Sequence, residues 1–268
     1  MSQHIDLHSH SLHSFDGKES VGSMTQRARE LGLAAYGLTD HCDLGSEDDA
    51  AYDRSIGDSV LELLAQRDAA GPNGTKLLAG IELGEPFLNL AQAEKLIGLP
   101  GLDYVICSLH NLRDMKDFYF LSYTQDSVYP LLDRYFAELY DIAKWGKFEV
   151  LGHLTYPLRY MKGEYGIPVD LTRYDDQIDA VFHLLAENGR GIEVNTSGLW
   201  QKLGETMPGR ELLVRYRACG GEIVTIGSDA HASVDIGRGV KQAEALLRAV
   251  GFRYICYFEK HQPKFVKL

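Results

Sequence analysis

The chain alternates short, nearly continuous apolar runs with longer amphipathic stretches, and this alternation most restricts what it can fold into. The apolar runs read as strands at 4–8, 34–41, 76–83, 103–110, 149–154, 191–195, 222–229 and 253–258. Several are rich in Val, Ile, Leu and Tyr throughout, as strands covered on both faces of a parallel sheet should be. Helical spacing is read at 21–32, 128–145, 174–188, 209–219 and 239–250. In 128–145 it lines up Val128, Leu131, Leu132, Tyr135, Phe136, Leu139 and Ile142 on one stripe, and Gly32, Gly189, Gly220 and Gly251 stand at helix stops. Repeated strand–helix units in 268 residues predict a closed or nearly closed α/β barrel of seven or eight parallel strands. A doubly wound open sheet is the rival, but no glycine-rich phosphate loop follows the first strand. Residues 155–173 show no period and read as a long loop, and without a linker or repeat the whole of 1–268 reads as a single domain.

A chain this long buries a core without disulfides or a structural metal. Its 27 basic and 38 acidic residues leave a net charge of −11, which argues against duplex DNA and anionic membranes as partners. No apolar run reaches the roughly 18–20 residues of a membrane span, and the opening MSQHIDLHSHS does not read as a signal peptide. Cys42, Cys107, Cys219 and Cys256 form no CxxC pair, which predicts reduced thiols in a cytoplasmic protein.

The histidines are not scattered. His8, His10, His41, His110, His153 and His231, six of the ten, fall at or just past the C-terminal ends of predicted strands, where β/α barrels carry their active sites. His8 and His10 are two apart, so an extended strand sends both side chains to one face, and Asp229 and His231 repeat the spacing. Paired imidazole and carboxylate donors on rigid backbone suit Zn, Mn or Fe. Glu82 ends the apolar run LLAGIEL, where a carboxylate is costly to bury without a cation.

These motifs resemble the PHP (polymerase and histidinol phosphatase) superfamily: HSH at 8–10, LTDH at 38–41, Glu82 of GIELGE, SLH at 108–110, GH at 152–153 and GSDAH at 227–231, in family order. The resemblance implies a distorted (β/α)7 barrel with a trinuclear metal centre at the strand C-termini. It implies one ion on His8, His10, Glu82 and Asp229, a second on Glu82, His110 and His153, and a third on Asp16, His41 and His231, so two to three divalent ions in all. His13 competes with Asp16 for its place. The stretches 8–19, 193–199 and 227–231 look most like the stand-alone histidinol-phosphate phosphatases. That likeness implies hydrolysis of L-histidinol phosphate to L-histidinol and phosphate, a step of histidine biosynthesis.

Phosphate monoesters hydrolyse very slowly in water, so the acceleration required is large. Clustered divalent ions answer this by generating hydroxide and neutralising the phosphoryl group. The expected reaction is attack of a metal-bridging hydroxide on phosphorus, with Glu82 bridging and Asp229 or His231 protonating the leaving group. Arg159, six residues after His153, is a candidate phosphate fork. Asn195, Thr196 and Ser197 offer neutral donors, and Asp43, Tyr119, Tyr156, Tyr160, Trp200 and Glu205 are candidates for the cationic end of the substrate. The alternative is a PHP phosphoesterase acting on a nucleotide, a single-stranded nucleic acid end or phosphotyrosine. A nuclease calls for a basic track with aromatics, and the cluster Lys260, Lys264, Lys267 is thin.

Overall fold

The computed structural model describes residues 4–46, 48–70 and 74–268. Seven parallel strands run in chain order around one sheet: β1 (Ile5–Asp6), β2 (Ala35–Asp43), β3 (Lys76–Gly84), β4 (Tyr104–Ser108), β5 (Val150–Leu151), β6 (Gly191–Asn195) and β7 (Val224–Gly227). Sequential order with every pair parallel requires a crossover after each strand. The principal crossover helices are α1 (Val21–Glu30), α2 (Tyr52–Ala70), α3 (Leu90–Ile97), α4 (Gln125–Trp145), α5 (Tyr156–Leu158), α6 (Asp175–Glu187) and α7 (Arg210–Ala218), and α8 (Val240–Val250) follows the last barrel strand. The near-continuous apolar strands are explained by their burial: Ala35–Cys42 and Leu77–Gly84 are buried along their whole length.

The barrel closes between its first and last strands. Leu7 N–H donates to Ile226 O at 2.9 Å, Asp229 N–H to His8 O at 2.9 Å and His10 N–H to Ala230 O at 2.8 Å. The buried Asp6 carboxylate adds a second seam, accepting Ser228 N–H at 2.8 Å, Ser228 Oγ–H at 2.5 Å and Gly237 N–H at 2.7 Å. Regular pairing of β1 stops at Asp6, so His8 and His10 leave the barrel wall on a distorted but hydrogen-bonded segment.

The helix α4 follows its sequence closely. Its buried stripe is Val128, Leu132, Tyr135, Phe136, Leu139, Ile142 and Ala143. Thr124 and Ser127 cap its start reciprocally, and Gly146 (φ 63°) ends it by donating its N–H to Ile142 O.

Two expectations are corrected, and two helices are added. The run at 253–258 is not a barrel strand: β8 (Tyr254–Glu259) pairs antiparallel with β9 (Gln262–Lys267) through a turn in which Lys260 (φ 50°) and His261 (φ 62°) are both left-handed. That turn docks at the start of β4, where Lys260 N–H donates to Asp103 Oδ1 at 3.1 Å and His261 N–H to Asp103 O at 2.7 Å. The apolar run there buries Ile255, Cys256 and Phe258, and composition alone does not tell a hairpin from a barrel member. Residues 155–173 are not a structureless loop: α5 continues into a π-helical turn, Arg159–Glu164. Helices α2 and α3 have no counterpart in the sequence reading, and α3 in particular spans only two turns.

Candidate metal centre

The C-terminal ends of the strands bring five imidazoles onto one carboxylate. Glu82 is fully buried on β3, in register with His41 on β2. Its Oε2 lies 3.2 Å from His8 Nε2, 3.6 Å from His10 Nε2 and 2.9 Å from His41 Nδ1. Its Oε1 lies 3.3 Å from His110 Nε2 and 2.8 Å from His153 Nε2, and accepts Ser108 Oγ–H at 2.6 Å. One carboxylate thus touches two groups of histidines, one with each oxygen.

Asp229 and Asp16 extend the cluster. Asp229 Oδ1 is 3.4 Å from His10 Nε2 and 3.8 Å from both His8 Nε2 and His231 Nδ1. It has φ 59°, a left-handed conformation that costs a non-glycine residue energy and that the β1–β7 seam holds in place. Asp16 Oδ2 is 3.0 Å from His231 Nε2, and Asp16 Oδ1 is 3.8 Å from His41 Nε2. His13 points elsewhere, 3.2 Å from Glu62 Oε1. Among the described residues, four ligand sets have atoms mutually within 4.8 Å: His8/His10/Glu82, Glu82/His110/His153, His10/His41/His231 and His41/Asp43/His110.

Three further carboxylates, which the sequence reading does not tie to the histidines, contact them. Glu193 Oε1 is 2.7 Å from His8 Nδ1, and Glu193 Oε2 accepts His153 N–H at 2.8 Å. Asp43 Oδ1 is 3.1 Å from His110 Nδ1 and 3.6 Å from His41 Nδ1. Glu85 (φ 50°) accepts the N–H groups of His110 and Asn111 at 2.5 and 3.2 Å. The signal for Glu193 was present: it is a charge inside the apolar run GIEVN, as Glu82 is inside LLAGIEL.

The donors fit divalent cations. His8 Nε2, His10 Nε2, His41 Nδ1 and Glu82 Oε2 are buried and make no hydrogen bond of sound geometry, though they face one another. Buried polar atoms are rarely left so. Burial works to raise Glu82, but His8, His41 and His110 hold it well below the usual carboxylate range. Burial likewise works to lower His8, His41 and His110, yet facing carboxylates raise all three well above the ordinary imidazole value: Glu193 and Glu82 for His8, and Asp43 and Glu82 for the other two. His10 goes the other way, pushed down to about 3 by burial and then by His41 and His231. The carboxylates thus favour positive charge at this point, which divalent cations would supply.

A cleft of about 340 Å³ opens over the cluster, with Asp117, Tyr119, Phe120, Tyr156 and Tyr160 also in its lining. The turn after β5 delivers Arg159 into its lining. Arg159 Nη2 donates to Ser197 Oγ at 2.6 Å and to Asp229 Oδ2 at 3.1 Å, and the guanidinium packs 5.0 Å from the Tyr156 ring centre. Ser197 Oγ donates to Asn195 Oδ1 at 2.6 Å, and Asn195 Nδ2 to Glu193 Oε2 at 3.2 Å. Asn195 is therefore a fully buried link between Glu193 and Ser197, and it does not line the cleft. Trp200 lies under Arg238 at 4.5 Å and Glu205 pairs with Lys162 at 2.6 Å, also outside the lining.

Fold and site together define a β/α-barrel protein with a strand-end centre built for divalent metal. Residues 6–197 match the family described as PHP domain, and the chain belongs to that family. A probable histidinol-phosphatase of Thermotoga maritima is 28% identical over 252 residues, covering 94% of each chain. A histidinol-phosphatase of Lactococcus lactis is 23% identical over 261 residues, 95% of this chain and 94% of that one. Among solved structures, the histidinol phosphate phosphatase of Lactococcus lactis, complexed with Zn, L-histidinol and phosphate, has a TM-score of 0.76 at 21% identity, covering 98% of this chain and 99% of that one. A putative histidinol phosphatase from Listeria monocytogenes has a TM-score of 0.74 at 18% identity, covering 89% and 99%.

Proposed function

We propose that the chain is a metal-dependent histidinol-phosphatase, hydrolysing L-histidinol phosphate to L-histidinol and phosphate. The observation that carries this reading is the convergence of five imidazoles on the two oxygens of Glu82, beneath a cleft of small-molecule size. The names of relatives that match over nearly their whole length support the substrate. His8, His10, Glu82 and Asp229 would hold one ion, Glu82, His110 and His153 a second, and Asp16, His41 and His231 a third. Ions of the Zn, Mn or Fe type bound there supply an activated water and neutralise phosphoryl charge.

The protein's own groups do the rest. Arg159 offers a fixed fork to phosphoryl oxygens, held by Ser197 and Asp229 until substrate arrives. Of the two proton carriers, Asp229 stays ionised: burial works to raise it, but His8, His10, His231 and Arg159 hold it well below the usual carboxylate range, which leaves the leaving-group proton to His231. Tyr156 and Tyr160, buried and joined hydroxyl to hydroxyl at 2.7 Å, keep bulk water from that side. Asp117, which accepts Tyr156 O–H at 3.2 Å, places a carboxylate on the wall that receives the cationic end of the substrate. Among the described residues no helix is long and apolar enough to cross a membrane. With four unpaired cysteines the reading places the enzyme, as a single domain, in the cytoplasm.

The test is phosphate release from L-histidinol phosphate, p-nitrophenyl phosphate, a nucleoside monophosphate and a short single-stranded oligonucleotide. The reading expects kcat/KM for histidinol phosphate to exceed the others by at least about a hundredfold, the discrimination a polar pocket can supply. Equal or better rates on another substrate would overturn the substrate assignment and leave a PHP phosphoesterase.

A further inference from the structure

Asp40, the carboxylate of the LTDH run, takes no part in the centre described above, yet it is buried directly behind it. Four donors meet it. Ser11 N–H at 2.6 Å and Ser14 Oγ–H at 2.7 Å reach Oδ1; Ser11 Oγ–H at 2.8 Å and Ser59 Oγ–H at 2.5 Å reach Oδ2. The single hydroxyl proton of Ser14 is therefore committed to Asp40. A hydroxyl has two lone pairs left for accepting. One takes His41 N–H at 3.0 Å, and the other faces His10 Nδ1 at 3.2 Å.

That arithmetic fixes a proton. The only hydrogen available to the contact between Ser14 and His10 is one on Nδ1, so His10 is the Nδ1–H tautomer and Nε2 carries a lone pair. This Nε2 is the buried atom without a hydrogen bond that lies 3.4 Å from Asp229 Oδ1 and 3.6 Å from Glu82 Oε2. The ring has little freedom to turn, since it stacks between His41 and His231 with centroids 4.1 and 4.2 Å away.

We propose that Asp40 and Ser14 are positioning residues that lock His10 in the one tautomer able to ligate a metal through Nε2. The same carboxylate clamps, through Ser11 and Ser14, the strap that carries Asp16. The strap is tight: Ser14 N–H donates to Ser11 O at 3.0 Å, Lys18 N–H donates to His231 O at 2.9 Å, and a Cβ on Gly17 would sit 1.7 Å from Ser11 O. The proposal rests on the metal reading above and adds to it what sets the hydrogen pattern of a ligand. An amide in place of Asp40 could turn its NH2 toward Ser14, releasing the hydroxyl proton toward His10 Nδ1 and leaving hydrogen on Nε2.

The test uses full-length protein with ¹⁵N-labelled histidine, as wild type, Asp40→Asn and Ser14→Ala. Long-range ¹H–¹⁵N correlation spectra of the metal-free proteins read the His10 tautomer, and competition with a chromophoric chelator reads zinc affinity. The expected results are Nδ1–H in the wild type, loss of that preference in both variants, and zinc affinity lower by about 10- to 100-fold in each. Ser14→Ala leaves Asp40 its other three donors and serves where Asp40→Asn does not fold. A wild-type His10 with hydrogen on Nε2, or folded variants that bind zinc as tightly as wild type, would overturn the proposal. A wild type that takes up no metal fails the metal reading instead, and the tautomer is read independently of that outcome.

Discussion

Glu193 on β6 reaches over Gly227 of β7 to hold His8 Nδ1 at 2.7 Å, which turns His8 Nε2 toward Glu82 at 3.2 Å. The same carboxylate takes His153 N–H on its other oxygen, so one residue orients ligands from two strands. Glu193→Gln keeps the shape and loses the charge. Zinc affinity is expected to fall about 10- to 100-fold, with most of the turnover restored at saturating metal. Chelator competition alongside kcat at high zinc checks this, and affinity equal to wild type would contradict it.

Glu82 is the residue on which the centre depends. Glu82→Ala is expected to lower bound metal and turnover together, with kcat falling by at least about 10²–10³-fold. Elemental analysis of the purified variant beside a rate assay checks it. Unchanged stoichiometry with full activity would remove Glu82 from the ligand set.

On the proposed function, Arg159 serves the phosphate and not the metal. Arg159→Ala is expected to lower kcat/KM by about 10²-fold or more while metal content stays at the wild-type level. Arg159→Lys restores little, because a lysine lacks the planar fork. Loss of metal in Arg159→Ala would show that its role is to hold Asp229.

On the proposed metal reading, an ion entering the centre would displace protons from its histidines. His8, His41 and His110 sit well above the ordinary 6.5, so they are charged at neutral pH without metal. Zinc uptake should release protons, and apparent affinity should strengthen as pH rises. The contribution of these raised histidines to metal-free stability is complete below 6.5 and is lost as pH rises through their folded values. That of the depressed Glu82 is complete above 4.5 and is lost as pH falls. Metal-free protein should therefore be most resistant to heat between these limits. Calorimetry in buffers of different ionisation enthalpy reads the proton release, and zinc binding without it would contradict the charge pattern.

Gly227 lies where the seam leaves no room. A Cβ there would come within 2.1 Å of Glu193 Oε1 and 2.4 Å of His8 Cβ. Gly227→Ala is expected to cost about 1–3 kcal/mol and to weaken zinc binding by displacing His8. Thermal melts with zinc titration check both, and wild-type behaviour in both would contradict the packing described.

The sequence made the centre legible where a rule of alternation or cost applied. His8 and His10 stand two apart, which in an extended strand puts both imidazoles on one face. Glu82 sits inside an apolar run, where a buried carboxylate needs a cation to offset its desolvation. Asp16 was readable only through family spacing, since its meeting with His231 depends on the shape of the strap. Glu193 and Asp43 as imidazole partners, and Glu85 as acceptor of the His110 backbone N–H, are not legible because those roles depend on a contact from another strand, which no local pattern encodes. The hairpin was misread for a similar reason: Ile255, Cys256 and Phe258 look alike whether the next segment crosses over or turns back. The π-helical turn that aims Arg159 has no periodicity of its own to read.

The most direct measurement is a zinc titration of chelated, metal-free protein, following bound metal and phosphate release from L-histidinol phosphate in the same samples. The account predicts no turnover without metal and full turnover only when two to three ions are bound per chain. Turnover by the chelated protein, or metal uptake to that level without hydrolysis of histidinol phosphate, would contradict it.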